Sequence, residues 1–90
     1  MTTRSINNGR LAVQLDDARY CLADLSQRKL AIKTVAFGVL PVPLIVIDAP
    51  HLKPGGLEGG RKRITNQNGR HTETYATRHM DCQVEWEVPA

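Results

Sequence analysis

Ninety residues with a formal net charge of +3 and only 4% aromatic side chains fit one small domain whose core is built mainly from Leu, Ile, Val and Ala. Two independent domains do not fit this length, and the longest apolar stretch, 35–47, is broken by Gly38, Pro41 and Pro43 and falls short of a membrane span. Cys21 and Cys82 form no short metal-ligand motif and no positively charged start leads into an apolar run, so a reducing, cytoplasmic setting is the expectation.

The first predicted element is a helix. Leu11, Leu15, Ala18, Leu22 and Leu25 recur at spacings of four and three, which aligns them on one face, with Arg10, Gln14, Asp17, Asp24 and Arg28 left to the wet faces. Asn7 or Asn8 is the expected cap. A strand through Leu11, Val13 and Leu15 before a shorter helix is the competing reading, but the stripe keeps one period throughout and favours the longer helix.

After Lys29 the composition turns β-rich. Strands are expected over roughly 31–38 and 43–49, joined by a turn at 39–42, because the prolines of the GVLPVP stretch remove backbone donors and restrict the residues before them. Pro50 and Pro54 close this hairpin. Two glycine pairs, Gly55 with Gly56 and Gly59 with Gly60, then predict a mobile, basic connector around 51–70.

Arg61–Thr65 reads as a short edge strand, and Asn68 with Gly69 is a two-residue hairpin signal. Beyond it, Thr72, Thr74 and Ala76 take one side of a strand and Glu73, Tyr75 and Thr77 the other. Cys82, Val84, Trp86 and Val88 alternate with Gln83, Glu85 and Glu87, the pattern of a strand with one buried face, after a bulge or turn near Met80 and Asp81. The expected fold is therefore α+β: an N-terminal helix packed on an antiparallel sheet of three or four strands, within one domain, 1–90. A homodimer would supply the burial that so small a chain lacks.

Charge is polarised along the chain. Residues 51–79 hold six Lys and Arg against two Glu, whereas 80–90 hold three acidic residues and no Lys or Arg. Arg61, Lys62, Arg63, Arg70 and Arg78 are the candidate partner-binding residues, suited to the phosphates of a nucleic acid or to an acidic protein, with Asn66, Gln67 and Asn68 able to add hydrogen bonds. The competing role for the same charges is protection of a sheet edge against unwanted pairing.

The glycine pairs lack the GKS or GKT ending of a phosphate-binding loop and the dinucleotide fingerprint. His79 and Cys82, with Cys21 from the helix, or Cys82 with His71 or His79, set out a second alternative, a small metal-binding protein or Cys/His enzyme. Zinc, however, ordinarily needs four ligands, and a nucleophile needs an oriented base and a charge-stabilising pocket. No catalytic residue, metal ligand or cofactor is assigned, and the chain is read as a non-enzyme.

Leu22–Leu25 in the helix, Leu44–Pro50 in the hairpin and the terminal MDCQVEWEV strand resemble small proteins encoded in prophages and related mobile elements. The resemblance implies a binding or regulatory protein that acts through a macromolecular partner, with nonspecific DNA or RNA binding as the main competing role.

Overall fold

The apolar spacing that begins at Leu11 belongs to a helix, α1, that runs over Thr2–Gln27 in the computed structural model, which describes residues 2–89. Asn7 and Asn8 lie inside this helix, so neither caps its start, and a shorter helix beginning after Asp16 does not occur. The helix closes without glycine. Lys29 takes the left-handed conformation at φ 62°, and the Leu30 N–H returns to the Leu25 carbonyl at 3.1 Å, filling an acceptor that the last turn leaves open.

Five strands follow: β1 (Ala31–Ala36), β2 (Leu44–Asp48), β3 (Gly60–Gln67), β4 (Arg70–His79) and β5 (Cys82–Pro89). They form one sheet in the order β1-β2-β5-β4-β3. The α+β class stands, but the expectation of three or four antiparallel strands is corrected twice: the strands number five, and β2 runs parallel to β5, with Ile45 beside Val84. The other three pairings are antiparallel. The parallel pair follows from the path of the chain. Residues 49–59 carry it to the far edge, where β3 begins, and two hairpins return β5 beside β2 in the same direction. Both hairpins turn on two residues with positive φ, Asn68 and Gly69 at 52° and 74°, Met80 and Asp81 at 48° and 62°, the handedness that matches strand twist.

Helix α1 covers one face of this sheet. Gln14, Ala18, Cys21 and Leu25 are its buried row, and Ile45, Ile47, Val84 and Trp86 are the sheet residues buried with it. At 100° per residue this row is turned by roughly 50° from the stripe drawn through the leucines. Leu11 and Leu15 consequently remain 36% and 56% exposed.

The reason for the offset lies in the proline-rich turn between β1 and β2. Gln14, expected on a wet face, is instead buried and donates through Nε2 to the carbonyls of Leu40 (3.1 Å) and Pro41 (3.3 Å), while its Oε1 accepts the Gly38 N–H at 2.9 Å. A turn whose prolines cannot donate leaves carbonyls without backbone partners, and the Gln14 amide supplies them. Small Ala18 and Cys21 in the same row let the helix approach the sheet closely.

The connector after β2 has its own anchors. Pro54–Gly56 forms one 3-10 turn, Pro54 and Leu57 are buried, and Arg28 Nη1 donates to the Gly55 carbonyl at 2.8 Å. At Gly59 a methyl group has no room: an added Cβ falls 2.6 Å from the Ala76 carbonyl oxygen and 2.8 Å from the Trp86 ring. Tyr75 stacks on the same indole, with centroids 6.1 Å apart and planes 16° from parallel.

Candidate functional site

Strand alternation sorts the basic residues onto two faces. Tyr75 lies opposite Trp86 on the helix side, so Arg70, Thr72, Thr74, Ala76 and Arg78 point to the uncovered side. Arg63 is aligned with Thr74 and shares that side, whereas Arg61 is aligned with Tyr75 and shares the helix side. Residues two apart on a regular strand face alike, and the irregularity between Arg61 and Arg63 is what divides them. Simple alternation would set Arg61 and Arg63 together on the face opposite Lys62, and the irregularity undoes that grouping.

Two of the five candidate cations are tied down within the chain. Arg61 Nη1 meets Glu73 Oε1 at 2.9 Å, and this contact holds the Glu73 carboxyl below its ordinary range and raises the guanidinium in turn. Lys62 Nζ meets Glu85 Oε2 at 2.6 Å, on the open face, and the Gln83 amide donates to the same oxygen at 2.6 Å. Glu85, expected on a wet face, is only 7% exposed, so these two donors compensate a carboxylate largely removed from water. Because β3 is the outermost strand, its charges also occupy the position where edge protection operates.

Arg63, Arg70 and Arg78 differ from that pair. All three are exposed and, among the described residues, none has a carboxylate partner. Arg70 and Arg78 stand four residues to either side of Thr74, about 13 Å each way at strand rise, and Arg63 sits level with Thr74 on the neighbouring strand. Only short side chains, Thr72, Thr74 and Ala76, separate them along β4. The rings of Tyr75 and Trp86 belong to the other face. Glu87, aligned with Thr74 on β5, places one exposed carboxylate beside the array. Where Arg70 stands, a cleft of about 630 Å³ opens across to Lys33, with Asp48 and Glu87 in its lining. Lys33, outside the sequence-derived set, is the cation that the sheet order brings to the cleft from the opposite edge.

Cys21, Cys82 and His79 come together at the junction of α1 with β4 and β5, while His71 lies at the other end of β4, and the clustered groups are in a different chemical state from the one catalysis needs. Cys21 and Cys82 are completely buried; burial, first of all, raises both thiols, that of Cys82 to about 12. Neither is a thiolate at neutral pH, the form that attacks carbonyls or binds metals. The Cys21 thiol is directed at the His79 carbonyl (3.5 Å), and the His79 ring is taken by Asp24, Nε2 to Oδ2 2.6 Å. His71 is paired with Asn66 at 2.6 Å and His51 is exposed. Among the described residues no group of three His, Cys, Asp or Glu is placed to hold a metal ion.

Sequence reasoning missed Gln14 as a buried residue. Its spacing, four and seven residues before Ala18 and Cys21, fits the buried row, but what turns it inward is the proline-rich turn it bonds, which no local pattern announces. No family model, curated protein or solved structure matches this chain. Among the described residues no helix is long and apolar enough to cross a membrane.

Proposed function

We propose that this protein is a binding module that receives a polyanion, foremost a nucleic-acid backbone, on the open face of β3, β4 and β5. The observation that supports the reading is the contrast among five cations: Arg61 and Lys62 are neutralised at 2.9 and 2.6 Å, whereas Arg63, Arg70 and Arg78 project from one uncovered face without a partner among the described residues. Guanidinium groups separated by about 13 Å each meet a different phosphate, since successive phosphates rise about 3.4 Å along one strand of a duplex. With no aromatic ring beside them on β4 or β5, the array offers phosphate contacts and no stacking platform for bases. Binding is therefore broad in sequence and steep in salt. Taken with the resemblance to proteins of prophages and mobile elements, the role is regulatory, exerted through the macromolecule held.

Fluorescence anisotropy of labelled duplex and single-stranded DNA and RNA over a salt series tests this. Wild type is expected to bind at low salt with a slope of about −2 to −3 in log K against log salt, three phosphates being neutralised. The triple variant R63Q/R70Q/R78Q loses that slope, R61Q/K62Q retains most of it, and Glu87→Gln tightens binding. No association at low salt by folded protein, or equal losses in both arginine variants, removes the reading. Preference for an acidic polypeptide over every nucleic acid redirects the same face to a protein partner.

A further inference from the structure

The leucines left outside the core define a second surface. On the flank of α1 beside the sheet-facing row, Ala12, Leu15, Asp16, Arg19 and Leu22, with Ala18 of the buried row at its floor, line an open groove whose far wall is Phe37, just beyond β1. Leu15 is 56% exposed there, and the groove is mostly apolar apart from one acid and one base. We propose that this flank binds a second copy of the chain, the two α1 helices packing antiparallel about a two-fold axis level with residue 17.

The positions themselves specify that partner. Ala18 is buried against its own sheet, and among the other helix residues of the groove Ala12 and Leu22, like Leu15 and Arg19, fall at equal distances on either side of residue 17, so antiparallel reversal sets Ala12 against Leu22 and Leu15 against Arg19. Every pairing joins a small or apolar side chain to a larger or charged one, and none joins like charges. A parallel pair in register brings Arg19 to Arg19 and Asp16 to Asp16, which repel. In the antiparallel pair each Arg19 lies level with the partner copy's Leu15 and one residue from its Asp16. The aliphatic stem covers the leucine and the guanidinium reaches the carboxylate.

The charged rim is already arranged in the single chain. Arg19 Nη2 lies 3.2 Å from Asp16 Oδ1, and the guanidinium rests 4.9 Å from the centroid of the Tyr20 ring. An isologous contact requires a surface that is its own complement, and the reversed pairings of side-chain size and charge meet that requirement here. The surface is separate from the arginine array on the far face of the sheet, so either proposal can fail alone.

Sedimentation equilibrium over a wide range of concentrations reads the assembly directly. A concentration-dependent dimer is expected, and Leu15→Lys, which sets a like charge against the partner copy's Arg19 at two places in each interface, weakens it on the order of 100-fold or more. Geometry is read independently by mixing L15C with R19C protein under mild oxidation: the mixed disulfide dominates over either self-pair, because each residue lies level with the other and not with itself, while Cys21 and Cys82 are shielded by burial. A chain that stays monomeric at high concentration overturns the proposal. So does a dimer indifferent to Leu15→Lys in folded protein, or one in which L15C cross-links to itself in preference to R19C.

Discussion

The two faces of β4 and β5 are built from alternate residues of the same strands, yet they divide the chemistry of the molecule. On the helix side Cys82, Val84 and Trp86 are fully buried and Tyr75 stacks on the indole. On the other side the alternating positions hold Arg70, Thr72, Thr74, Ala76 and Arg78, opposite Gln83, Glu85 and Glu87. A period of two makes this division possible within one strand and makes it exacting, since a one-residue slip exchanges every side chain between core and solvent. Stability is thus concentrated on one surface, and the other is free to carry charge that a core does not tolerate.

Trp86→Ala is the strongest way to break this comparison. Removing a side chain with no exposed surface, packed between Tyr75 and Gly59, is expected to lower unfolding stability by about 3–5 kcal/mol. R63Q/R70Q/R78Q on the open face is expected to shift stability by no more than about 0.5 kcal/mol for each substitution. Chemical denaturation of both proteins measures the difference. Comparable losses in the two variants dissolve the division between a stabilising and a binding face.

A finer probe lies where the covered face meets the edge strand. Gly59 and Gly60 are adjacent and indistinguishable in the sequence, but an added Cβ at Gly59 collides with the Ala76 backbone and Trp86, and at Gly60 it meets nothing within 4 Å. Gly59→Ala is expected to destabilise by about 1–3 kcal/mol through forced displacement of the β3 entry. Gly60→Ala is expected to be neutral or to stabilise by up to about 1 kcal/mol by restricting the unfolded chain. Equal midpoints in denaturant for the two variants contradict the close approach at Gly59.

The same asymmetry explains what the sequence disclosed. Strands with one buried face announce themselves by alternation, so the terminal strand, the Asn68–Gly69 hairpin and the two sides of β4 were legible residue by residue. Helix α1 was legible as a helix but not in its rotation, because the leucines mark every apolar demand on it, whereas only contact with the Leu40–Pro41 carbonyls identifies Gln14 as inward. The β2–β5 pairing was illegible for a related reason. Nothing local in Leu44–Asp48 or Cys82–Pro89 encodes the neighbour each will take, and the order depends on where residues 49–59 set down β3. The basic cluster was visible as composition. The division of Arg61 from Arg63 depends on a strand irregularity that no residue type in Arg61–Arg63 announces, and the neutralisation of Lys62 depends on Glu85 arriving from a strand two places away.

The smallest expected effect concerns the seam between the helix and the sheet. Asp24 on α1 accepts from His79 at the end of β4 and from Arg28 one turn on, at 2.6 and 2.8 Å, and these contacts, that of His79 foremost, hold its carboxyl below the ordinary carboxylate range. Because the unfolded chain takes up this proton at a higher pH than the folded one, the contribution is complete above the unfolded value of about 3.9 and disappears as pH falls through the lower folded value. Glu73, held down by Arg61, behaves alike. Both carboxylates are solvent-accessible, so each share is modest. Denaturation midpoints of wild type are therefore expected to change little from these two groups between about pH 7 and 5 and to fall below about pH 4, with Asp24→Asn and Glu73→Gln each removing part of that fall. Asp24 alone joins two elements across the covered face, so its variant should also speed amide exchange near the helix C-terminus at neutral pH, which the Glu73 variant, confined to the β3–β4 ribbon, should leave unchanged. If Asp24→Asn superimposes on wild type in both measurements, the polar seam adds nothing to the apolar contacts that Leu25 and Cys21 already make.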